Sequence, residues 1–303
     1  MTDGILDNDI LKIFTPEYLS KFSGLDLIAK LVVEGYYAGL HRSIYKGFSV
    51  EFAEHRPYYF GDDIRYIDWK VFAKRDRYFI KEFESETSLQ ALLIIDASSS
   101  MGFGTHEIVK KIVYAKQLAS ALSYLLIHQR DSVGLALITD KVEKIIHPRS
   151  TNYHLYNLFV EISHIKPHGK TNLASSLISL GERLTRRCLI LLISDLWDDE
   201  SRILAGIRAF REKKSECIVF QVIDKAEEYL TSHTPIVVKD LEYTRSALIT
   251  DEVVRTYRVA FNERQKRIKT ELLEIGIDYQ LLYTDTPHFI SLATYLKKRK
   301  RLH

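Results

Sequence analysis

Cysteine is nearly absent from this 303-residue chain, which holds only Cys188 and Cys217. Two thiols without a C-x-x-C pair give no disulfide framework and no redox motif, so a reducing compartment is expected. No apolar run approaches the roughly 18 residues that a membrane span requires. The opening Met1-Thr2-Asp3-Gly4, with acids at Asp7 and Asp9, lacks the basic character of a secretory leader. These absences lead us to expect a cytoplasmic protein with no membrane span. Internal repeats and low-complexity tracts are also missing, which excludes solenoid and collagen-like architectures. The chain has no Gly-x-x-x-x-Gly-Lys-Ser/Thr loop: Gly169-Lys170-Thr171 matches the last three positions, but His164 stands where the first glycine is needed. The 18 tyrosines form no base-stacking pattern, and nucleic acid is not an expected partner. The net charge of +3 has one source, the run Lys297-Lys298-Arg299-Lys300-Arg301, without which the chain stands at −2. That run reads more simply as a solvated helix end complementing its dipole than as a contact for nucleic acid or an anionic membrane.

What is present is apolar sequence in short blocks, 46% hydrophobic in all, enough for a sizeable core. The most informative block is Leu92-Leu93-Ile94-Ile95, which ends abruptly in Asp96-Ala97-Ser98-Ser99-Ser100-Met101. It is too short for a typical helix and too apolar for an exposed strand, so it reads as a buried strand of a parallel sheet. Ligand crevices in open α/β sheets lie beyond the carboxyl ends of such strands. Asp96, Ser98 and Ser100 would emerge there together as one carboxylate and two hydroxyls. An all-oxygen donor set of this kind suits a hard divalent cation, Mg²⁺ in particular. The competing reading is a serine-rich turn that merely caps the next helix, and the motif alone leaves both open.

From residue 89 onward strands and helices alternate, the signature of a parallel sheet with crossover helices. Helical spacing predicts helices over 107–128, 153–162, 200–213 and 251–274, and one through 184 after the loop at 166–171. Strands are predicted over 132–138, 189–194, 217–222 and 277–283. The strand at 142–146 follows the preceding one after only three residues, too few for a parallel crossover, so it must pair antiparallel. The stretch between 222 and 251 reads as irregular. Residues 1–87 differ in character: a proline-started helix after Thr15, a helix over about 25–37, then aromatic, glycine and charged residues in short strands and turns. The division expected is therefore an N-terminal helical segment and satellite over 1–87 and an α/β domain over 88–303.

Asp96, Ser98 and Ser100 after the first strand, Thr171 after a glycine-containing loop and Asp195 at the end of the strand at 189–194 come in an order that resembles the metal-ion-dependent adhesion site of von Willebrand factor A domains. A narrower resemblance rests on Gly39-x-His41-x-Ser43, Glu51-Phe52, Arg56-x-Tyr58, Gly61-Asp62-Asp63-x-Arg65-x-Ile67-Asp68-Trp69 and Ser194-Asp195-Leu196. These are similar to the bacterial and archaeal family called domain of unknown function 58. The resemblance implies a von Willebrand A or Rossmann-like doubly wound α/β sheet, mostly parallel with one antiparallel strand, beside a small N-terminal satellite. It further implies Mg²⁺ or Mn²⁺ held directly by Ser98, Ser100 and Thr171, with Asp96 and Asp195 acting mainly through water. The partner it implies is a protein that supplies a carboxylate to the metal, with a MoxR-type AAA+ ATPase as the associated machine. Met101, His168 and Trp197 are expected on the rim that meets this partner.

Two functions then compete. One is a metal-dependent protein-binding adaptor or scaffold without catalysis; the other is a metal-dependent hydrolase using the same Asp, Ser and Thr residues. The haloacid-type phosphoaspartyl pattern would place an acid two residues after Asp96, where Ser98 stands, so the adaptor is preferred. Asp62, Asp63 and Asp68 with Arg56 and Arg65 read as ion pairs that hold the satellite together, Trp69 as its packing anchor, and His41 as structural. Because the metal-site side chains lie beyond strand ends, Thr171→Ala and Asp195→Ala are both expected to leave thermal unfolding nearly unchanged.

Overall fold

The computed structural model describes residues 25, 28–30, 32–33, 55–57, 72, 78–81, 89–105, 109–229, 236–239, 246–249, 251–288, 290 and 292–293. The chain divides into two units, residues 41–88 and residues 1–40 with 89–303. In the smaller unit β1 (His55–Pro57) and β2 (Phe79–Lys81) pair antiparallel, and the ring of Phe72 stacks on Tyr78 with centroids 4.5 Å apart. The ion pairs expected around Asp62, Asp63 and Asp68, the anchor Trp69 and His41 lie outside the described residues, as do the proline-started helix and the basic tail.

The larger unit runs β3 (Gln90–Asp96), α1 (Lys111–His128), β4 (Ser132–Ile138), β5 (Val142–Arg149), α2 (Asn152–His164), α3 (Leu173–Arg183) and β6 (Leu189–Ser194). It continues through α4 (Glu200–Glu212), β7 (Glu216–Ile223), α5 (Lys225–Tyr229), β8 (Ile236–Lys239), β9 (Ser246–Ile249), α6 (Asp251–Glu274) and β10 (Asp278–Tyr283). Six strands form one sheet in the order β10-β7-β6-β3-β4-β5, and only β4 and β5 pair antiparallel. This is the mostly parallel, helix-flanked α/β sheet expected from the sequence, with its single antiparallel strand where the short link required it.

Successive side chains of a strand point to opposite faces, and the core follows that alternation. Leu93 and Ile95 of β3 join α1 and α2 through Leu118, Leu122, Leu155 and Leu158. Leu92 and Ile94 join α3, α4 and α6 through Leu177, Ile207, Phe210, Ile268 and Leu272. Both faces of β3 and β6 are thus covered, which is why their sequences are continuously apolar rather than alternating. At the sheet's end β5 is half-exposed and its pairing with β4 shifts register twice. A Cβ at Gly134 would lie 2.7 Å from the Ile146 carbonyl oxygen, so the close approach of the two strands there needs glycine.

Three elements depart from expectation. Helix α1 begins at Lys111 rather than 107, and α2 extends back to Asn152 because the Thr151 side chain accepts from the His154 amide at 3.2 Å and starts it earlier. The stretch read as irregular holds α5 and the antiparallel hairpin β8–β9. Those strands have four residues each, too few for a period-two pattern to stand out. No helix among the described residues is long and apolar enough to cross a membrane.

Candidate metal and partner-binding site

Strands β3 and β6 are neighbours at the centre of the sheet, so Asp96 and Asp195 leave it side by side. Asp96 is buried, and both its oxygens are engaged. Oδ1 accepts from the Ser98 amide at 2.9 Å and Oδ2 from the Ser194 hydroxyl at 2.6 Å. Ser194 in turn accepts from the Leu196 amide at 2.9 Å. Beyond Asp96 the chain makes a short 3₁₀ turn over Ser99–Gly102, and neither that turn nor α1 is capped by a side chain at its start. The serines are therefore not a capping motif. Instead the Ser98 and Ser100 hydroxyls face each other at 3.0 Å.

The loop carrying His168 and Thr171 is stitched to this turn. The His168 amide donates to the Ala97 carbonyl at 2.9 Å and the Ser99 amide to the Gly169 carbonyl at 3.3 Å. Gly169 has φ +74°, a conformation that costs glycine little, which lets the loop fold back over the serines. Thr171 stands two residues past this contact, half-buried, and α3 begins after it with Asn172 as its cap. The structure thus brings Ser98, Ser100, Asp96, Asp195 and the Thr171 loop to one end of the sheet.

Two of the residues expected on the rim are exposed. Trp197 is 44% exposed and Arg264 lies over its ring at 5.4 Å, while His168 is exposed and bonds Glu143 through Nε2 at 2.8 Å. Its bond to the Lys166 carbonyl raises the pKa of that imidazole, and Glu143 adds to the rise against an opposing effect of burial. Met101 is a correction: its side chain is fully buried in the core beneath the 3₁₀ turn, so it supports the rim from inside and cannot touch a partner. An acid starts the helix that follows Asp195, with the Asp199 carboxylate accepting from the Arg202 amide at 3.0 Å. Leu196 adopts φ 54°, uncommon for a residue with a side chain. Arg264 holds that turn by donating to the Leu196 carbonyl at 2.6 Å and the Asp198 carbonyl at 2.9 Å.

The residue that sequence reasoning missed is Lys111. Its ammonium is buried and lies 2.7 Å from Asp195 Oδ2 and 2.6 Å from Glu227 Oε1. Burial alone would lower its pKa, but attraction first by Asp195 and then by Glu227 outweighs that and holds it at about 12. Asp195→Ala would leave this cation without one of its two partners, so the expectation of unchanged unfolding does not carry over to Asp195. A signal existed: Lys111 falls in line with Ala115, Leu118, Leu122 and Leu125 on the buried stripe of α1. A charge on that stripe requires a buried counter-charge.

Burial and the neighbouring Asp195 push the Asp96 carboxyl up to about 6 from 3.8, against the pull of its bonds to Ser194 and Ser98. Between those values the folded chain holds a proton that the unfolded chain has released. The contribution to stability is therefore full below pH 4 and falls by about 3 kcal/mol as pH rises through 6. In chelator, Asp96→Asn should remove that fall, seen as a flatter urea stability profile from pH 4 to 7 than the parent's.

The donors fit a small hard cation. Two cis ligands at about 2.1 Å from an octahedral ion lie about 3.0 Å apart, the separation of the two serine hydroxyls. Among the described residues no group of three or more His, Cys, Asp or Glu could hold a metal, so an ion here would rest on hydroxyls.

A family profile described as Protein of unknown function DUF58 matches residues 54–271. The chain belongs to the DUF58 family. It is 24% identical over 235 residues to an uncharacterized protein of Mycobacterium tuberculosis, covering 75% of this chain and 72% of that one. An uncharacterized protein of Mycobacterium bovis matches to the same extent. Among solved structures, the conserved hypothetical protein BatB from Bacteroides thetaiotaomicron gives a TM-score of 0.46 at 14% identity over 70% of this chain and 99% of that one. An aerotolerance-related membrane protein from Bacteroides fragilis gives 0.38 at 17% identity over 61% and 99%. Neither the DUF58 description nor these relatives names a cofactor.

Proposed function

We propose that this DUF58 protein is a metal-dependent protein-binding adaptor or scaffold built on a von Willebrand A-like domain. The observation that carries the reading is the pair of serine hydroxyls at 3.0 Å, uncommitted to any helix cap, beside a buried carboxylate. Ser98, Ser100 and Thr171 would hold Mg²⁺ or Mn²⁺ directly, with Asp96 and Asp195 supporting from behind. The bound ion would supply an electrophilic position for a partner's carboxylate. Asp96 orients the Ser98 backbone through its amide and is itself oriented by Ser194, so the turn keeps its shape when a partner arrives. His168 and Trp197 give the surrounding contact. The family resemblance is the ground for naming a MoxR-type AAA+ ATPase, or a protein it remodels, as the partner. The hydrolase reading finds less support, because Ser98 stands where a phosphoaspartyl enzyme of the haloacid type carries an acid two residues after its nucleophile.

The test is affinity capture from cell extract with Mg²⁺ or with chelator. Ser98→Ala and Thr171→Ala are expected each to weaken Mg²⁺-dependent capture about tenfold, equivalent to about 1.4 kcal/mol, with melting in chelator close to the parent's. Capture that is indifferent to chelator and to both substitutions would sink the proposal. So would hydrolysis of a phosphoester at an enzyme-like rate that is lost in Ser98→Ala.

A further inference from the structure

Lys111 has no part in the ligand set above, yet it is among the largest fully buried side chains of the protein. It is the first residue of α1, where the helix dipole disfavours a cation. Its position is costly and closely specified. Nζ lies 5.8 Å from the centre of the Phe103 ring and between Asp195 and Glu227. The second oxygen of Asp195 accepts from the Trp197 amide at 3.1 Å, and the second oxygen of Glu227 from the Asp224 amide at 2.9 Å. Asp224 accepts from the Thr105 hydroxyl and, at 3.3 Å, from the Thr105 amide; its Oδ2 also takes the Thr284 hydroxyl at 2.9 Å. Lys111 therefore ties the end of β6 to the end of β7, and through Asp224 to the segment that follows the two serines.

We propose that Lys111 is a built-in cation that competes with the divalent ion for Asp195 and thereby keeps that ion weakly held. This rests on the metal-dependent reading above and adds a residue that sets affinity. With Lys111 in place, the charge of Asp195 is already met by an ammonium at 2.7 Å, so this carboxylate contributes little to the ion, which depends mainly on the hydroxyls. An exchangeable ion suits a site whose occupancy follows partner binding. The ammonium also supplies positive charge at this end of the sheet without any metal, so the negative charge of Asp195 and Glu227 is partly offset in the ion-free protein.

The probe is Mn²⁺ titrated by calorimetry into the parent, Ser98→Ala, Lys111→Gln and the double variant Lys111→Met with Glu227→Gln. The double variant removes one charge of each sign, so no buried carboxylate is left unpaired by the loss of its own partner except Asp195, which becomes free for the ion. Lys111→Gln keeps a donor facing Asp195 without the charge and serves should the double variant not fold. Both are expected to bind Mn²⁺ at least about tenfold more tightly than the parent, and Ser98→Ala at least about tenfold less tightly. Mn²⁺ binding by the double variant when the parent shows none would support the proposal most strongly. Ser98-dependent binding that is no tighter in either folded Lys111 variant would overturn it and leave the metal site standing. Binding by none of the four proteins would overturn both readings.

Discussion

Lys111→Met should lower the unfolding free energy by about 3–5 kcal/mol, the usual cost of removing one partner from a buried ion pair. The substitution leaves Asp195 and Glu227 without the ammonium that both contact, in surroundings where Lys111 and Asp195 are each 1% exposed. For a domain of this size the melting temperature should fall by roughly 10 °C. Lys225 offers a matched control. Its ion pair with Asp285 is as short, 2.6 Å, but its side chains are 57% and 58% exposed. Lys225→Met should cost less than about 1 kcal/mol, since water and salt screen an exposed pair. Thermal melts of both variants in chelator make the comparison, and a Lys111→Met protein that melts within about 2 °C of the parent would show that the buried pair is not stabilising.

Acid should destabilise the protein through His288. This imidazole is completely buried against the ring of Tyr114, with centroids 4.4 Å apart, and Nε2 bonds Gln117 Oε1 at 2.9 Å. Burial lowers its pKa to about 3 from 6.5, so the folded chain keeps it neutral where the unfolded chain would protonate it. Its contribution is intact above pH 6.5 and is lost as pH falls toward 3, a total of about 5 kcal/mol. Urea unfolding of the parent and His288→Gln at intervals from pH 7 to 4 tests this. The variant should show a shallower loss on acidification; identical slopes would mean that the histidine is protonated in the fold. The effect has the opposite sign to that of Asp96, so the two separate cleanly in single variants.

Much of the sheet was legible because burial writes itself into sequence. The continuous apolar runs of β3, β6 and β7 have both faces covered, and the three-residue link before β5 forced its antiparallel pairing. The grouping of Asp96, Ser98 and Ser100 was equally legible, since strand ends in such sheets open into one crevice. What periodicity does not carry is the identity of a long-range partner. Lys111 and Asp195 are 84 positions apart, and nothing local to either announces the other. The Met101 error has a related cause: following a liganding serine fixes where the backbone goes, while the 3₁₀ turn decides that the side chain points inward.

The register shifts along β5 limit how another chain can approach. In the six-stranded sheet β5 is the outermost strand on its side, half-exposed, and it carries Lys144, His147, Pro148 and Arg149. An extended segment adding to that edge would meet a proline with no amide to offer, a ladder whose spacing is broken, and a row of basic side chains. Strand addition, and with it the growth of sheet-to-sheet polymers from this edge, is therefore disfavoured at the level of the backbone.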